Sequence, residues 1–395
     1  IGAFMNCYNL TSITIPNSVT TIETSAFSEC GLTSITIPSS VTTLGGLAFG
    51  WNNLTSVNIP SSVTSIEYNP FVGNSNLATI TSSSSTYTAV NNTLLHPSSK
   101  TIVAGCKNSV LPTSGYTTIG ASAFRGCSEL TGTLTIPATI TTIGNYAFNG
   151  CSGLTGALAI PSSVKSIGQY AFGSCSNITS ITIPASVTSI GTAAFSGCNA
   201  VQTLTYNASV TTAFTTYTYA FANLGSSSST GGCTITIGGT VSAIPAYLFY
   251  GPSTSTYVHV KSLTIGSNIT SIGNYAFRYA TKLTSLSLPS SVTTIGSYAF
   301  YGCSKIPTVT ANGALTSIGS YAFTGCSSIA NYYLYNCTKV PTLGNTCMVG
   351  TTSKKIYVPR TLYSSWRSAT NWSSYSSYIY WSDMINYSCY YTNSD

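Results

Sequence analysis

The chain carries very little charge. Its 395 residues include 13 Lys and Arg and 6 Asp and Glu, so charged side chains make up 5% of it, against about a quarter in an ordinary soluble domain. Hydroxyl side chains replace them, because Ser and Thr supply nearly a third of the residues and Tyr occurs 28 times. An apolar content of 43% can still build a core, which excludes a disordered chain. No apolar run approaches the ~20 residues that cross a bilayer, so we expect no membrane span.

Residues for catalysis are equally scarce. The two histidines, His96 and His259, lie many repeats apart, and Glu23 and Glu67 share a repeat position two repeats apart. The other acids are scattered, at Glu29, Glu129, Asp383 and Asp395. A nucleophile, base and acid cannot be assembled from this set, and no paired Cys-x-x-Cys indicates a zinc site. We predict a protein that is not an enzyme and holds no cofactor or metal.

The positive charge is thinly spread. The net charge is +7, and the densest basic group is Lys354, Lys355, Arg360 and Arg367. Nucleic-acid binding normally requires Lys and Arg clustered on one face. We therefore expect no nucleic-acid partner.

One phrase of about 23 residues recurs along most of the chain, within the range of leucine-rich repeats. Full copies read IPSSVKSIGQYAFGSCSNITSITIP, from Ile160 to Pro184, and LPSSVTTIGSYAFYGCSKI, from Leu288 to Ile306. The Phe of the Ala-Phe pair marks each repeat, at Phe4, Phe27, Phe49, Phe71, Phe124, Phe148, Phe172, Phe195, Phe221, Phe249, Phe277, Phe300 and Phe323.

Each repeat predicts two extended segments and a turn. Leu32, Ile35 and Ile37 alternate with polar residues, as in a half-buried strand, and Pro38 ends it because it cannot donate a ladder hydrogen bond. The Ser-Val-Thr-Ser-Ile-Gly segment predicts a second short strand, whose Gly supplies a backbone angle that other residues resist. The Ala-Phe-x-x-Cys run fits a single 3₁₀-like turn. One repeat cannot bury its apolar side chains alone, so the sequence predicts a β-rich solenoid of stacked repeats.

The phrase Ile-Pro-x-Ser-Val-Thr-x-Ile-Gly-x-x-Ala-Phe-x-x-Cys resembles the BspA-like leucine-rich repeat family, the Treponema pallidum type. Residues 79–116 resemble its irregular hairpin-bearing repeat, and residues 354–395 resemble its helical C-terminal cap, which leaves residues 1–353 as the solenoid. The resemblance implies a secreted or cell-surface protein that acts in adhesion or structural scaffolding. It implies no shared catalytic site.

Thirteen cysteines look like a disulfide framework until their positions are compared. Eight follow the repeat Phe by three residues, at Cys7, Cys30, Cys127, Cys151, Cys175, Cys198, Cys303 and Cys326. Stacking sets neighbours about 4.8 Å apart, beyond the Cβ separation of a disulfide, so we expect buried free thiols. Cysteines off this position are candidates for bridges: Cys106, Cys233, Cys337, Cys347 and Cys389, with Cys337 and Cys347 nearest in sequence.

Nine Asn-x-Ser/Thr sequons are candidate N-glycosylation sites if the chain is secreted. Three of them, at Asn9, Asn53 and Asn177, share one repeat position where the side chain should face outward. The full set is Asn9, Asn53, Asn91, Asn177, Asn207, Asn268, Asn336, Asn371 and Asn386. Glycans would help to dissolve a surface with so little charge.

Tyrosine recurs just before the repeat Phe, at Tyr146, Tyr170, Tyr219, Tyr247, Tyr275, Tyr298 and Tyr321. Stacking would align these residues as a stripe. The stripe predicts either a contact surface for glycan or protein, because Tyr offers a large rigid area with a polar tip, or a ladder that only stiffens the solenoid.

We therefore predict a secreted or cell-surface repeat protein that is glycosylated and contacts protein or glycan at a cell surface or matrix. An alternative is a filament subunit. The chain begins inside a repeat at Ile1, and end-to-end contacts that do not close generate fibres.

Overall fold

A computed structural model describes residues 1–382 apart from 211–213, 216, 217, 228, 230, 251–256, 312, 314 and 351–353. The chain forms two compact units, residues 1–200 and residues 201–395. Each unit is a β-solenoid, in which one repeat makes one coil and successive coils pair through parallel strands. We use the word column for the residues that occupy one repeat position in successive coils.

The Ser-Val-Thr-Ser-Ile segment forms a two-residue strand in most coils. In the strand Thr142–Ile143, the isoleucine is 1% exposed, and Thr142 is in register with Ser166 of the next coil. In the first unit these strands are Thr21–Ile22, Thr43–Leu44, Ser65–Ile66, Thr118–Ile119, Thr142–Ile143, Ser166–Ile167 and Ser189–Ile190. In the second unit they are Ala243–Ile244, Ser271–Ile272, Thr294–Ile295, Ser317–Ile318 and Thr342–Leu343.

Most of the longer strands follow the predicted alternation, and the exceptions, Ile178–Ile183 and Val260–Ile265, lie at register shifts of the ladder. In Ser56–Ile59, Val57 and Ile59 are buried, while Ser56 and Asn58 face solvent. The longer strands of the first unit are Ser56–Ile59, Thr79–Ser82, Gly156–Ala159 and Ile178–Ile183. Those of the second unit are Thr203–Tyr206, Cys233–Ile237, Val260–Ile265, Leu286–Leu288, Thr308–Ala311, Asn331–Tyr333, Lys355–Val358 and Ile379–Trp381.

The Ala-Phe turn forms a third ladder between coils. The N–H of Cys151 donates to the carbonyl of Phe148 (3.1 Å), a bond across three residues as in the predicted 3₁₀-like turn, and the N–H of Phe148 donates to the carbonyl of Ala171 in the next coil (2.7 Å). The ring of Phe148 stacks on that of Phe172 with centroids 5.3 Å apart. Both rings are fully buried, so the Phe column is the spine of the core.

The glycine that ends the short strand has a different role from the predicted one. Its φ is not positive at Gly168, Gly191, Gly296 or Gly319, so the expectation of a special backbone angle was wrong. A Cβ on Gly319 would instead lie 2.4 Å from the backbone nitrogen of Ser297 in the preceding coil. Glycine is therefore required because two coils approach each other closely at this position.

The column of cysteines consists of thiols, not disulfides. The Sγ of Cys175 donates to the carbonyl of Phe148 (3.2 Å), and the Sγ of Cys326 donates in the same way to Phe300 (3.1 Å). All eight thiols of the column are free, and seven are buried, while Cys7 is exposed. Each buried thiol thus links its own coil to the coil before it.

Replacing Cys175 by alanine is expected to lower the free energy of unfolding by about 1–2 kcal/mol, because a buried group and its bond to Phe148 are both lost. The same change at the exposed Cys7 is expected to stay within about 0.5 kcal/mol of zero. Urea unfolding of both variants measures the difference. Equal losses for the two would contradict a role of the buried thiol in coil stacking.

The candidate disulfide between Cys337 and Cys347 is wrong, since both are buried free thiols. Cys347 lies at the Ala position of its coil, because the N–H of Phe323 donates to its carbonyl (2.9 Å) as Phe300 donates to Ala322. The Sγ of Cys337 faces the carbonyl of Gly313 (3.8 Å). Each cysteine therefore fills a core position of the repeat. Cys106 and Cys233 are also free and buried, and Cys389 lies outside the described residues.

The irregular repeat contains the expected hairpin. Strand Thr88–Val90 is antiparallel to Thr93–His96, which is antiparallel to Thr101–Ala104. The last of these pairs in parallel with Thr118–Ile119 and so rejoins the solenoid. The insertion lengthens one coil of the first unit without ending the ladder on its C-terminal side.

The C-terminal segment contains the expected helix, Tyr363–Ser368, flanked by the 3₁₀ helices Arg360–Leu362 and Ser373–Tyr378. It packs through Trp366 and Trp372, both fully buried with ring centroids 4.5 Å apart. The indole N–H of Trp372 donates to the carbonyl of Pro341 (2.7 Å). Strand Ile379–Trp381 then pairs in parallel with Lys355–Val358, so the helical segment lies within the last described coil.

Candidate contact surface

The predicted tyrosine stripe occupies one column, two residues before the repeat Phe. Every member has a left-handed backbone, with φ between 40° at Tyr219 and 61° at Tyr247. This conformation costs a bulky residue about 1–2 kcal/mol. All seven side chains are half-buried, so part of each ring meets solvent. The sequence pattern predicted their alignment and not their backbone.

The rings stack face to face on their neighbours. In the first unit, Tyr146 and Tyr170 lie with centroids 5.2 Å apart. In the second unit, Tyr275 lies 4.9 Å from Tyr247 and 4.7 Å from Tyr298, and Tyr298 lies 4.7 Å from Tyr321. The second unit therefore presents four consecutive stacked phenols.

Arg278 lies inside a group of tyrosines in the second unit, which we call the Arg278 cluster: Arg278 with Tyr250, Tyr275, Tyr279 and Tyr301. The guanidinium carbon is 4.6 Å from the ring centroid of Tyr279, 5.5 Å from those of Tyr250 and Tyr301, and 5.9 Å from that of Tyr275. Its two terminal nitrogens donate to the phenol oxygens of Tyr250 (3.0 Å) and Tyr279 (3.3 Å). These contacts hold the guanidinium in a defined orientation.

A smaller group with the same design lies in the first unit. The guanidinium carbon of Arg125 is 4.7 Å from the ring centroid of Tyr146 and 5.0 Å from that of Trp51. Arg125 and Arg278 both directly follow the repeat Phe. That shared position is the signal in the sequence that could have identified both arginines, and sequence reasoning missed it.

The phenols of Tyr275 and Tyr298 remain protonated at neutral pH, because the pKa of each is raised. Burial, and next the neighbouring Tyr247, raises the pKa of Tyr275. Desolvation, and next the neighbouring Tyr275, raises the pKa of Tyr298. The face is thus a row of neutral hydroxyl-bearing rings around a guanidinium, and such a face can donate and accept hydrogen bonds without a net negative charge.

Six of the nine sequon asparagines are exposed: Asn9, Asn53, Asn91, Asn177, Asn268 and Asn336. Asn207 and Asn371 are half-buried, and Asn386 lies outside the described residues. The amide nitrogen of Asn371 also donates to the carbonyl of Leu343. Glycosylation, if present, is therefore favoured at the exposed set.

Treatment of the native protein with an N-glycan-cleaving enzyme is expected to lower its intact mass by at least two glycans. Peptide mapping is expected to place these at the exposed sequons and to find Asn371 unmodified, since its side chain is half-buried. An unchanged mass would contradict the glycosylation hypothesis.

Of the residues considered for catalysis, Glu67 and His96 line one cleft of the first unit, whereas His259 lies in the second unit. The carboxylate of Glu67 accepts from the hydroxyl of Thr24 (2.8 Å). Asp383 and Asp395 lie outside the described residues. Within the part of the chain that the structure describes, no three His, Cys, Asp or Glu side chains come together to hold a metal ion. The described helices include none long and apolar enough to cross a membrane.

Stacked coils of about 23 residues, an internal Phe column and parallel ladders define a leucine-rich repeat solenoid. The chain belongs to the BspA-type leucine-rich repeat family, because the model of the "BspA type Leucine rich repeat region (6 copies)" matches residues 1–113, 102–227 and 242–374. The resemblance noted from the repeat phrase is thereby confirmed.

Solved structures support the fold. A leucine-rich repeat protein from Bacteroides ovatus is 22% identical, with a TM-score of 0.56 over 96% of this chain and 80% of that chain. A leucine-rich repeat protein from Eubacterium ventriosum is 24% identical, with a TM-score of 0.52 over 75% of this chain and 78% of that chain. No curated protein matches the chain.

Proposed function

We propose that this protein is an extracellular or cell-surface repeat scaffold without enzymatic activity, which binds a protein or a glycan through the Arg278 cluster and the stacked tyrosines beside it. The observation that carries the proposal is the geometry of Arg278, oriented by two phenol oxygens and surrounded by four rings. Tyr and Arg are enriched among residues that dominate binding energy.

The tyrosine column supports a binding role because the fold does not require tyrosine there. The same left-handed position holds Ser25, Leu47, Ser122 and Ala193 in other coils of the first unit. Small residues serve that backbone at least as well as tyrosine does. A bulky, half-exposed ring kept in an unfavourable backbone conformation therefore favours a function beyond folding.

Aromatic recognition also fits the charge of the chain. With charged residues at 5%, long-range electrostatic attraction contributes little to partner choice. Rigid phenols instead supply apolar area and hydroxyls at low entropic cost. The guanidinium adds a planar donor for a carboxylate or hydroxyl of the partner.

Changing Tyr275, Tyr298 and Tyr321 together to serine is expected to weaken binding at least about tenfold, because the rings supply the contact area. Serine suits the left-handed position, as Ser25 and Ser122 demonstrate. Binding is measured on a glycan array and on immobilised fibronectin, laminin and collagen, and thermal unfolding is recorded in parallel.

A matched control changes Tyr333 and Tyr357, which stack at 5.2 Å outside this face, to serine. We expect the control to keep binding. If the triple variant loses stability alone and binds normally, the column only stiffens the solenoid and the proposal is wrong. End-to-end filament formation stays a prediction, which negative-stain imaging tests through the presence or absence of long threads.

A further inference from the structure

The irregular repeat interrupts the ladder of short strands. Strand Ser65–Ile66 pairs with Thr43–Leu44 and ends a three-stranded sheet. On its open side, the N–H of Ile66 donates to the phenol oxygen of Tyr87 (2.8 Å). Ile66 is half-buried, whereas Ile22 is 3% exposed and Ile119 is fully buried. The interruption thus uncovers part of a core side chain.

A cleft of about 280 Å³ lies at this interruption, lined by Ile66, Glu67, Tyr68, Tyr87, His96 and Thr101 among others. We call it the hairpin cleft. The rings of Tyr87 and His96 meet edge to face with centroids 4.9 Å apart. Its lining therefore combines an apolar floor, two aromatic phenols, an imidazole and a carboxylate.

The polar groups of the hairpin cleft are held in place. One oxygen of the Glu67 carboxylate accepts from the hydroxyl of Thr24 (2.8 Å) and from the N–H of Gly46 (3.0 Å). The Tyr68 ring lies against Gly46, where a Cβ would come within 2.0 Å of Tyr68 Cζ. Fixed side chains lose little entropy when a ligand binds.

The imidazole of His96 has a defined tautomer when it is neutral. Its Nδ1 accepts from the N–H of Ser99 (3.1 Å). The ring proton therefore resides on Nε2. The Nε2–H of His96 can donate a hydrogen bond to a ligand, and the carboxylate of Glu67 can accept one. The cleft can therefore bind ligand hydroxyls both as acceptors and as donors.

We propose that the hairpin cleft binds a single neutral sugar ring. A pyranose has an apolar C–H face that suits the half-buried ring of Tyr68 and the exposed part of Ile66, and it has hydroxyls that donate to Glu67 and accept from His96. The volume suits one small molecule, and the carboxylate disfavours acidic sugars. The cleft lies in the first unit and shares no residue with the Arg278 cluster, so this inference is independent of the proposed function.

Saturation-transfer NMR on the full chain, with the methyl glycosides of mannose, galactose, fucose and N-acetylglucosamine, tests the proposal. We expect saturable binding of at least one of these at a Kd of about 1–10 mM. Glu67→Gln and His96→Ala are each expected to weaken it at least about tenfold, while Glu129→Gln, an exposed acid on another coil, leaves it unchanged.

Two results would overturn the proposal: no saturable binding of any of the four glycosides by the wild type, or full binding by both cleft variants. Thermal unfolding is recorded for each variant. If Glu67→Gln is destabilised, the binding measured with His96→Ala tests the proposal. The polar side-chain contacts of His96 lie within its own loop, so its replacement removes no hydrogen bond between coils.

Discussion

Raising the pH from 8 to 11 is expected to lower the free energy of unfolding of the protein steeply. Burial raises the pKa of Cys127, Cys198 and Cys347 from 9.0 to about 12, because a thiolate cannot be solvated there. Since the folded pKa lies above the unfolded one, the stability linked to these thiols is complete below pH 9 and is lost as the pH rises toward 12.

The expected loss is large. At pH 11, two pH units above the unfolded pKa, each such thiol removes up to about 3 kcal/mol from the free energy of unfolding. The three named thiols together remove up to about 8 kcal/mol, against a total stability of about 5–15 kcal/mol for a native protein. Circular dichroism and urea titrations at pH 8, 9, 10 and 11 measure the decline.

A triple variant separates the thiols from the tyrosines, which also ionise in this range. Cys127→Ser and Cys198→Ser retain a donor toward the carbonyls of Gly105 and Phe172, and Cys347→Ala restores the usual residue of its column. The variant is expected to lose less stability between pH 8 and pH 11 than the wild type, whatever its stability at pH 8. An identical decline would refute the assignment to the thiols.

Replacing Gly319 by alanine is expected to destabilise the second unit by about 3 kcal/mol, the upper part of the range for overpacked sites. The new Cβ would lie 2.4 Å from the nitrogen of Ser297 and 2.6 Å from the carbonyl carbon of Gly296. Both atoms belong to the backbone of the preceding coil. That backbone is held close to Gly319, because the N–H of Gly319 donates to the carbonyl of Ile295 (2.8 Å). The two coils would therefore have to separate.

Gly238 provides the matched control in the same unit. Its φ is not positive, and a Cβ there would meet its nearest neighbour, the Oδ1 of Asn207, at an ordinary 3.5 Å. Gly238→Ala is expected to change the free energy of unfolding by less than about 1 kcal/mol. Similar urea midpoints for the two variants would show that the close approach of the coils at Gly319 does not affect the free energy of unfolding.

The cysteines illustrate why some positions were misread. A fixed distance of three residues from the repeat Phe identified the column that contains Cys175, and the structure places this thiol on the carbonyl of Phe148. Cys347 follows a Thr where most coils have Tyr and precedes a Met where most coils have Phe. Without that alignment, the sequence does not show that Cys347 occupies the Ala position, which leaves it a candidate for a bridge.

The contact surface, too, could be predicted only in part from the sequence. Alignment of Tyr275 with Tyr298 follows from the repeat length alone, since each stands two residues before its Phe. The convergence of Tyr250, Tyr279 and Tyr301 on Arg278 does not, because these residues come from three coils and two columns. Their meeting depends on left-handed backbone at Tyr275 and Tyr279, which no propensity predicts for tyrosine.

The amino-acid sequence by itself determined the repeat, the alternating strands and the Phe spine, because each depends on a local pattern that recurs at a regular interval. The hairpin and the helix near the C-terminus were implied by the family resemblance of the repeat phrase. Only the tertiary structure decided why glycine ends the short strand, where Cys337 and Cys347 belong, and how Arg278 and the hairpin cleft are assembled. Those features arise between coils, where atoms more than 20 residues apart in the chain come within a few ångströms of each other.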